Sequence, residues 1–331
     1  MNKNKSKNKA DTKKTKKRGK KIMTVLLVII SVIITINLIS LFVNQVFFSK
    51  ELDGIEPYGK LVEIDGGKMH IYSMGNGEKT IVLLPGMGVP LSSADFGPLM
   101  RELSKEYTVV CAEYFGYGFS DTTDIPRTNE NYTRELREAL SLAGFAAPYI
   151  LMSHSASGIY SEYYATKYPN EVSAIIMLDT TSSVKEYVKV PKILGTMGNI
   201  QQAIGLGRLF NPIIVSSLGI NEKNGYTAKE IEDFKKFYNH IYNNATNDQL
   251  FRFAENIREI MEMDFPNEVP VLKIIASKQN PGTEEDYHTN HIAKLGENTK
   301  LITLEGTHFI YHMAVTEIVK ETISFLELDA R

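Results

Sequence analysis

The chain has 331 residues, of which 43% are hydrophobic and 23% are charged. This composition is ordinary for a globular protein and excludes a disordered or collagen-like chain. The formal net charge of −2 hides an uneven distribution, because residues 1–21 contain eleven Lys or Arg and one Asp. The sequence therefore predicts a basic tail over residues 1–21 and an acidic body that follows it.

Residues 22–48 read IMTVLLVIISVIITINLISLFVNQVFF and contain no charged residue. A helix needs about 20 apolar residues to cross a membrane, so this segment predicts a transmembrane helix. A cleaved signal peptide is the alternative, but its apolar core would span about 7–15 residues and end at small residues, whereas Phe47 and Phe48 close this run. The Lys-rich tail is expected to remain cytoplasmic, which places residues 49–331 outside the cytoplasm in a single-pass membrane protein. No nucleic-acid partner is expected for the tail.

From Gly59 onward, short apolar runs alternate with stretches whose apolar residues have helical spacing. This alternation predicts an α/β fold, with a mostly parallel sheet of about eight strands and helices on both faces. The predicted strands are KLVEI, KMHIYSM, KTIVLLP, TVVCAEY, PYILMSH, VSAIIMLD, VPVLKIIAS and TKLITLE. The first two are expected to form an antiparallel hairpin around Asp65-Gly66-Gly67, because this sequence contains turn dipeptides. The single cysteine, Cys111, lies in an apolar run and is expected to be buried.

One interval departs from this alternation. Residues 182–266 contain no convincing strand but include amphipathic segments such as TAKEIEDFKKFYNHIYNN. A plain loop of that length is uncommon, so the interval predicts a helical subdomain or lid within the domain of residues 49–331.

The segment YILMSHSASG sets a predicted strand directly against small and hydroxyl-bearing residues. An abrupt strand-to-helix turn strains its central residue and needs small neighbours two positions away on either side, which is the requirement behind the G-x-S-x-G nucleophile elbow. Here Ser153 and Ser157 stand where that pattern has glycine, with Ser155 between them. Taken alone, the segment could equally be an ordinary serine-rich turn.

Three further segments follow predicted strands: LLPGMG, YFGYGFSD and GTHFIYH. The ends of parallel strands meet at one edge of the sheet, where such sheets build their sites. In this order and spacing, the four segments resemble the α/β-hydrolase superfamily, in particular its branch with a helical cap between the sixth and seventh strands. The resemblance covers about residues 60–328. It implies an eight-stranded α/β-hydrolase sheet with a cap at about residues 182–266.

The resemblance implies that Ser155 is the nucleophile and His308 the general base. It places the oxyanion hole at the backbone N–H groups of Met87 and Ala156. His312, four residues after His308, is expected to pack rather than react. The resemblance implies neither a metal nor an organic cofactor.

The carboxylate that would support His308 is less clear from the sequence. In the family's commonest arrangement an Asp follows the seventh strand, but Gln279 and Asn280 stand there. Asp179, at the end of the sixth predicted strand, is the first candidate. The alternatives are a carboxylate in the loop after the seventh strand, namely Glu284, Glu285 or Asp286, or else a Ser-His dyad without an acid, or no catalysis.

These features predict a membrane-anchored, extracytoplasmic serine hydrolase that acts on an ester or similar small acyl substrate through an acyl-enzyme. One alternative is an aminopeptidase similar to proline iminopeptidases, in which Asp233 or Glu255 would hold a substrate amine. Another is a protein of the same fold that binds a small ligand without turnover, a hypothesis motivated by the amides at positions 279 and 280.

Overall fold

The computed structural model of the chain describes residues 3–278 and 285–328. Its sheet has eight strands, and all eight coincide with predicted runs. They are β1 Lys60–Ile64, β2 Gly67–Met74, β3 Thr80–Leu84, β4 Thr108–Glu113, β5 Tyr149–His154, β6 Val172–Leu178, β7 Val271–Ala276 and β8 Thr299–Leu304.

The helices carry most of the remaining ordered backbone. They are α1 Lys3–Val43, α2 Ser92–Asp95, α3 Gly97–Leu103, α4 Asn129–Ala143, α5 Ser157–Lys167, α6 Lys192–Ile204, α7 Gly207–Ser217, α8 Ala228–Phe237, α9 Asn244–Met261, α10 Glu285–Leu295 and α11 Val315–Leu328. Helices α6 to α9 all lie between β6 and β7, and no strand occurs in that interval.

The strand order is β1-β2-β4-β3-β5-β6-β7-β8. The β1–β2 and β2–β4 pairs are antiparallel and the other pairs are parallel. The predicted hairpin is confirmed, since β1 and β2 pair up to the contact of Ile64 with Gly67. Its turn residues, Asp65 and Gly66, have φ angles of 52° and 76°, as a two-residue turn of the primed type requires.

Alternate strand residues build two apolar layers, one on each face of the sheet. On β3, Val82 and Leu84 belong to the layer that α4, α5 and α9 cover. Ile81 and Leu83 belong to the opposite layer, which α3 and α11 cover. This is the two-residue period of a strand with both faces buried, so the prediction of helices on both faces is confirmed. Cys111 is buried in the second layer, as expected.

Helix α1 runs without interruption from the basic tail into the apolar segment and ends in a short π-helix, Asn44–Phe48. The stretch Lys20–Phe48 is long and apolar enough to cross a membrane, and its large apolar side chains are exposed. Helices α6 and α7 also form an apolar pair, bent by 104°.

Two glycines with the same backbone conformation provide a test of the packing at the end of β2. Gly75 has φ +79° and a Cβ added there would collide with the carbonyl oxygen of Tyr107, whereas Gly66 has φ +76° and open space around it. We expect Gly66→Ala to cost about 1–2 kcal/mol, the strain of a left-handed alanine. Gly75→Ala should cost about 1–3 kcal/mol more because the backbone must move.

Denaturant unfolding of the two variants measures this difference. Equal losses in the free energy of unfolding would show that the contact of Gly75 with the Tyr107 carbonyl is not tight.

Candidate active site

Ser155 lies at the apex of the turn between β5 and α5. Its φ is 52°, a left-handed conformation that costs a residue with a Cβ about 1–2 kcal/mol. Neighbouring backbone holds this conformation in place: the Ser155 N–H donates to Leu178 O at 3.3 Å, and the Ser155 carbonyl accepts from the N–H groups of Gly158 at 3.1 Å and Thr181 at 3.0 Å. Strain of this kind is typical of functional turns.

The neighbours of Ser155 are small because there is no room for larger side chains. A Cβ on Gly158 would lie 2.6 Å from Cβ of Thr180. Ser153 and Ser157 are fully buried and use their hydroxyls locally: Ser153 Oγ lies 3.0 Å from Ser161 Oγ, and Ser157 donates to the carbonyl of Pro85. The serines at the positions where the elbow pattern has glycine are therefore hydrogen-bonded parts of the turn.

Asp179 follows β6 directly and has φ 47°. Its backbone N–H donates to Ile274 O at 2.7 Å, and its Oδ1 accepts from the N–H of Ala276 at 2.9 Å. Both partners, Ile274 and Ala276, lie on β7, so this neighbouring strand fixes the direction of the carboxylate. The second oxygen, Oδ2, lies 2.7 Å from Nδ1 of His308.

His308 lies between Asp179 and Ser155. Its Nε2 is 2.8 Å from Oγ of Ser155. With Nδ1–H donating to Asp179, Nε2 accepts from the Ser155 hydroxyl, so the ring can take up that proton while the carboxylate steadies the resulting charge. The His308 side chain is 32% exposed and that of Asp179 only 8%, so the chain of hydrogen bonds opens to solvent at the Ser155 and His308 end.

The structure places Asp179, the first candidate acid, against His308. Glu284 and the side chains of Glu285 and Asp286, the other candidate acids, lie outside the described residues, as do Gln279 and Asn280.

His154 and His312 both support the His308 loop. His154 donates from Nε2 to the carbonyl oxygen of His308 at 3.0 Å, and its ring lies 4.7 Å from that of His308. Burial holds the pKa of His154 well below its ordinary value, and the nearby His308 adds to the effect, so the ring stays neutral. His312 faces away from Ser155: Nδ1 donates to Leu218 O at 2.6 Å, and Nε2 lies 2.9 Å from Oδ1 of Asp95.

The loop after β3 passes close beside Ser155. A Cβ on Gly86 would lie 2.6 Å from Nδ1 of His154 and 2.9 Å from Cβ of Ser155, so only glycine fits there. Among the described residues, the N–H groups of Met87 and Ala156 donate to no protein acceptor. They are therefore available to an oxygen bound beside Ser155.

Tyr117 of the YFGYGFSD segment contacts the loop after β3. Tyr117 accepts the N–H of Gly88 at 3.1 Å and donates to Gln249. Gln249 in turn donates to the hydroxyl of Tyr160 at 3.1 Å. Tyr117 also lines a cleft together with Val89 and residues of the β6–β7 interval, among them Phe237 and Ile241.

A buried polar network lies behind Asp179, and sequence reasoning missed it. Lys273 of β7 donates to Nδ1 of His291 at 2.9 Å and lies 3.5 Å from the hydroxyl of Thr180. His291 donates from Nε2 to Glu162 of α5, also at 2.9 Å. The sequence did carry one signal, a lysine inside the apolar run VPVLKIIAS, since strands buried on both faces are usually apolar throughout.

Burial and the neighbouring charges shift the pKa values of this network. Burial lowers the pKa of Lys273 to about 8, against the attraction of Glu162 and Asp179. Burial and the charge of Lys273 lower the pKa of His291 to about 4. Burial raises the pKa of Glu162, but His291 and Lys294 outweigh it and leave that pKa below its ordinary value. At neutral pH the network therefore holds a cation, a neutral imidazole and a carboxylate.

The low pKa of Lys273 predicts a pH dependence of stability. Above about pH 8 the folded chain releases the Lys273 proton, whereas the unfolded chain retains it up to about pH 10.5. The unfolded state then binds more protons, so this group makes stability rise with pH across that window. Lys273→Met removes this contribution. Between pH 8 and 10, the free energy of unfolding of wild type should therefore rise by about 2–3 kcal/mol relative to that of the variant.

Unfolding of the full chain in detergent across this pH range measures the effect. Lys300→Met is the control, because Lys300 is 41% exposed and pairs with Glu321 at the surface. If Lys273→Met retained the wild-type slope, Lys273 would not titrate in this window.

Within the described parts of the chain, no group of three or more His, Cys, Asp or Glu side chains could hold a metal ion.

Known proteins share this architecture. A family model described as alpha/beta hydrolase fold matches residues 79–203. The chain is 29% identical over 306 residues to the uncharacterized protein YbdG of Bacillus subtilis (strain 168), covering 87% of this chain and 92% of YbdG. It is 30% identical over 128 residues to the serine hydrolase BPHL of Mus musculus, covering 38% of this chain and 44% of BPHL.

Solved structures confirm the fold. Cfl2 of Burkholderia cenocepacia superposes with a TM-score of 0.64 at 17% identity, over 80% of this chain and 94% of Cfl2. An epoxide hydrolase and a serine hydrolase of carbazole degradation share the fold as well. The eight-stranded α/β-hydrolase sheet expected from the four sequence segments is thus confirmed.

Proposed function

We propose that this chain, an α/β-hydrolase by fold, is a serine hydrolase that cleaves an ester or a similar acyl substrate through an acyl-enzyme. The observation that carries the proposal is the chain of hydrogen bonds from Asp179 through His308 to Ser155, with distances of 2.7 and 2.8 Å. The left-handed backbone at both ends of that chain supports it. In this proposal the three side chains form a catalytic triad.

Acylation follows from these positions. His308 Nε2 takes the Ser155 proton as Oγ attacks the acyl carbon, and the Asp179 carboxylate stabilises the imidazolium that forms. The proton then passes to the leaving group, so the acyl–oxygen bond of the substrate breaks and an ester to Ser155 remains. In this proposal the N–H groups of Met87 and Ala156, which donate to no acceptor among the described residues, stabilise the oxyanion, and each such donor is typically worth about 10²- to 10³-fold in rate.

Deacylation repeats the steps with water. The partial exposure of His308 lets water reach Nε2, which takes a proton as the oxygen attacks the acyl carbon. The proton returns to Ser155 Oγ when the acyl group leaves as a carboxylic acid.

The structure favours neither alternative function. Asp233 accepts from Tyr58 at 2.9 Å and pairs with Lys229, and Glu255 pairs with Lys189 at 2.5 Å. Both carboxylates that could hold a substrate amine are therefore already paired. A binding protein without turnover would not need the strained turn or the aligned His308.

Substitution of Ser155 and of Asp179 tests the proposal. We expect Ser155→Ala to lose labelling by a fluorophosphonate, and to lose about 10⁴-fold or more in kcat on a short p-nitrophenyl ester, because the nucleophile is gone. Asp179→Asn should cost about 10⁴-fold, because the amide favours the wrong His308 tautomer.

Ser173→Ala is the matched control, since Ser173 is an exposed serine of β6 whose hydroxyl donates to the carbonyl of Tyr149. If folded wild type neither reacts with the probe nor turns over ester, Ser155 is not a nucleophile. If Asp179→Asn retains full activity while Ser155→Ala has none, the acid lies elsewhere.

The proposal includes a membrane anchor. The uncharged helix over residues 22–48 follows a Lys-rich tail, which supports a single span with the tail in the cytoplasm and the hydrolase domain outside. The four-helix interval between β6 and β7 would then form a cap on the extracytoplasmic side.

Epitope accessibility tests this topology. In intact cells we expect an epitope at the C-terminus to be accessible to antibody and one at the N-terminus to be protected, because the positive charges resist translocation. A chain that starts at residue 51 should be released from membranes by alkaline washing, because it lacks the span. Release of the full chain from membranes by alkaline washing would contradict the anchor.

A further inference from the structure

Helix α6 has its small residues inside and its large apolar residues outside. A Cβ on Gly195 would lie 2.6 Å from the Phe251 ring, and one on Gly198 would collide with the Tyr242 ring, so this face packs closely on the rest of the interval. Ile193, Met197 and Ile200 recur at helical spacing and are 53–61% exposed. A surface helix normally has the opposite pattern, with its apolar stripe facing the protein.

Helix α7 repeats the inversion. Its Asn211 is buried and donates to Lys235 O at 2.5 Å. Leu209, Phe210 and Ile213, one helical turn or less apart, are 72%, 58% and 70% exposed. The outer faces of α6 and α7, with Leu206 between them, form one apolar surface, the α6–α7 face, defined by Ile193, Leu194, Met197, Ile200, Leu206, Leu209, Phe210 and Ile213.

Helix α1 joins this surface directly. The last carbonyls of a helix lack intrahelical partners. For α6, side chains at the end of α1 donate the missing hydrogen bonds. Ser40 donates to Ile204 O at 2.6 Å, and Asn44 donates to Ala203 O at 2.9 Å. A Cβ on Gly205 would lie 2.9 Å from Asn44 Oδ1, so the two helices meet closely.

The residues after α1 add an ionic contact. Glu51 pairs with Arg208 of α7 at 2.6 Å and with His240 at 2.6 Å. Burial raises the pKa of Glu51, but the hydrogen bonds from Arg208 and His240 outweigh it and lower that pKa overall. The end of α1 is thus fixed to both helices.

The contact between Ser40 and Ile204 sets the depth of the α6–α7 face relative to the proposed membrane span. From Ile22 to Ser40 a helix rises about 27 Å, close to the roughly 30 Å of a hydrocarbon core. With Ile22 at the cytoplasmic boundary, the Ser40–Ile204 contact lies at the outer boundary. The α6–α7 face then lies at the level where headgroups meet acyl chains.

We propose that the α6–α7 face docks on the outer surface of the bilayer that α1 crosses, with its apolar side chains among the upper acyl carbons; this rests on the membrane anchor of the proposed function. The occupant is lipid because the surface is continuous with α1, whose own apolar side chains are exposed. An interfacial helix of this kind buries its apolar face about 5–10 Å into the headgroup and acyl boundary. The exposed Lys192 at the start of α6 suits anionic headgroups.

The chain has no tryptophan, so one introduced tryptophan reports on one position. The full chain is placed in phosphatidylcholine and phosphatidylglycerol vesicles, with or without bromines at a known acyl depth. Phe210→Trp reports on the face, and Ile33→Trp reports on α1. Leu142→Trp on α4 is the control, because Leu142 is 56% exposed against 58% for Phe210.

We expect Phe210→Trp to lose several-fold more emission than Leu142→Trp in brominated vesicles, with the strongest quenching from bromines near the carbonyl end of the chains. Ile33→Trp should be quenched most by deep bromines. Quenching of Ile33→Trp but not of Phe210→Trp would overturn the docking and leave the anchor. Quenching of Phe210→Trp but not of Ile33→Trp would overturn the anchor and leave an α6–α7 face that binds lipid.

Two other outcomes also overturn the docking proposal. Blue-shifted emission of Phe210→Trp that bromines leave unquenched would show that protein covers the face, as in a dimer. Quenching of Phe210→Trp mainly by the deepest bromines would show that α6 and α7 enter the bilayer core.

Discussion

The site depends on two neighbouring parallel strands that each end in a left-handed residue. Ser155 follows β5 and Asp179 follows β6, with φ angles of 52° and 47°. Each conformation costs about 1–2 kcal/mol, and bonds between adjacent strand ends offset the cost: Ser155 N to Leu178 O, and Asp179 N to Ile274 O. Because the same bonds join β5 to β6 and β6 to β7, the sheet itself sets the separation of hydroxyl and carboxylate, and His308 has only to fit between them.

The support beneath this arrangement is polar as well as apolar. Lys273, His291 and Glu162 come from β7, α10 and α5 and are buried together. A buried network of this kind is favourable only when each member is satisfied, so its three elements must be placed together. Thr180, beside Asp179, lies at one end of the network. A change in the packing of this network would therefore displace the loop that carries Asp179.

The sheet could be predicted from the sequence because its strands are short apolar runs between turn residues, and the positions of Ser155 and His308 followed from the order of four local segments. The acid could not be fixed in the same way. Asp179 contacts His308 across 129 residues of chain, and a local pattern at LDTT does not show which neighbour it will face. For the same reason the capping of α6 by the end of α1 could not be predicted, since Asn44 and Ala203 are 159 residues apart. Contacts between distant segments require the fold before they can be stated.

The capping of α6 by α1 has a consequence for how the proposed membrane-anchored hydrolase would meet its substrate. Only residues 49–59 separate the π-helix that follows α1 from β1, and Glu51 holds that short linker to α7. A loose linker would let the catalytic body sample a hemisphere of solution at an effective concentration set by linker length. A linker that is held in place gives the domain one orientation. With α1 in a bilayer, Ser155 would then stay at a constant height above the membrane. In the proposed function, the height of Ser155 above the bilayer, as well as affinity, would then decide which substrates it reaches.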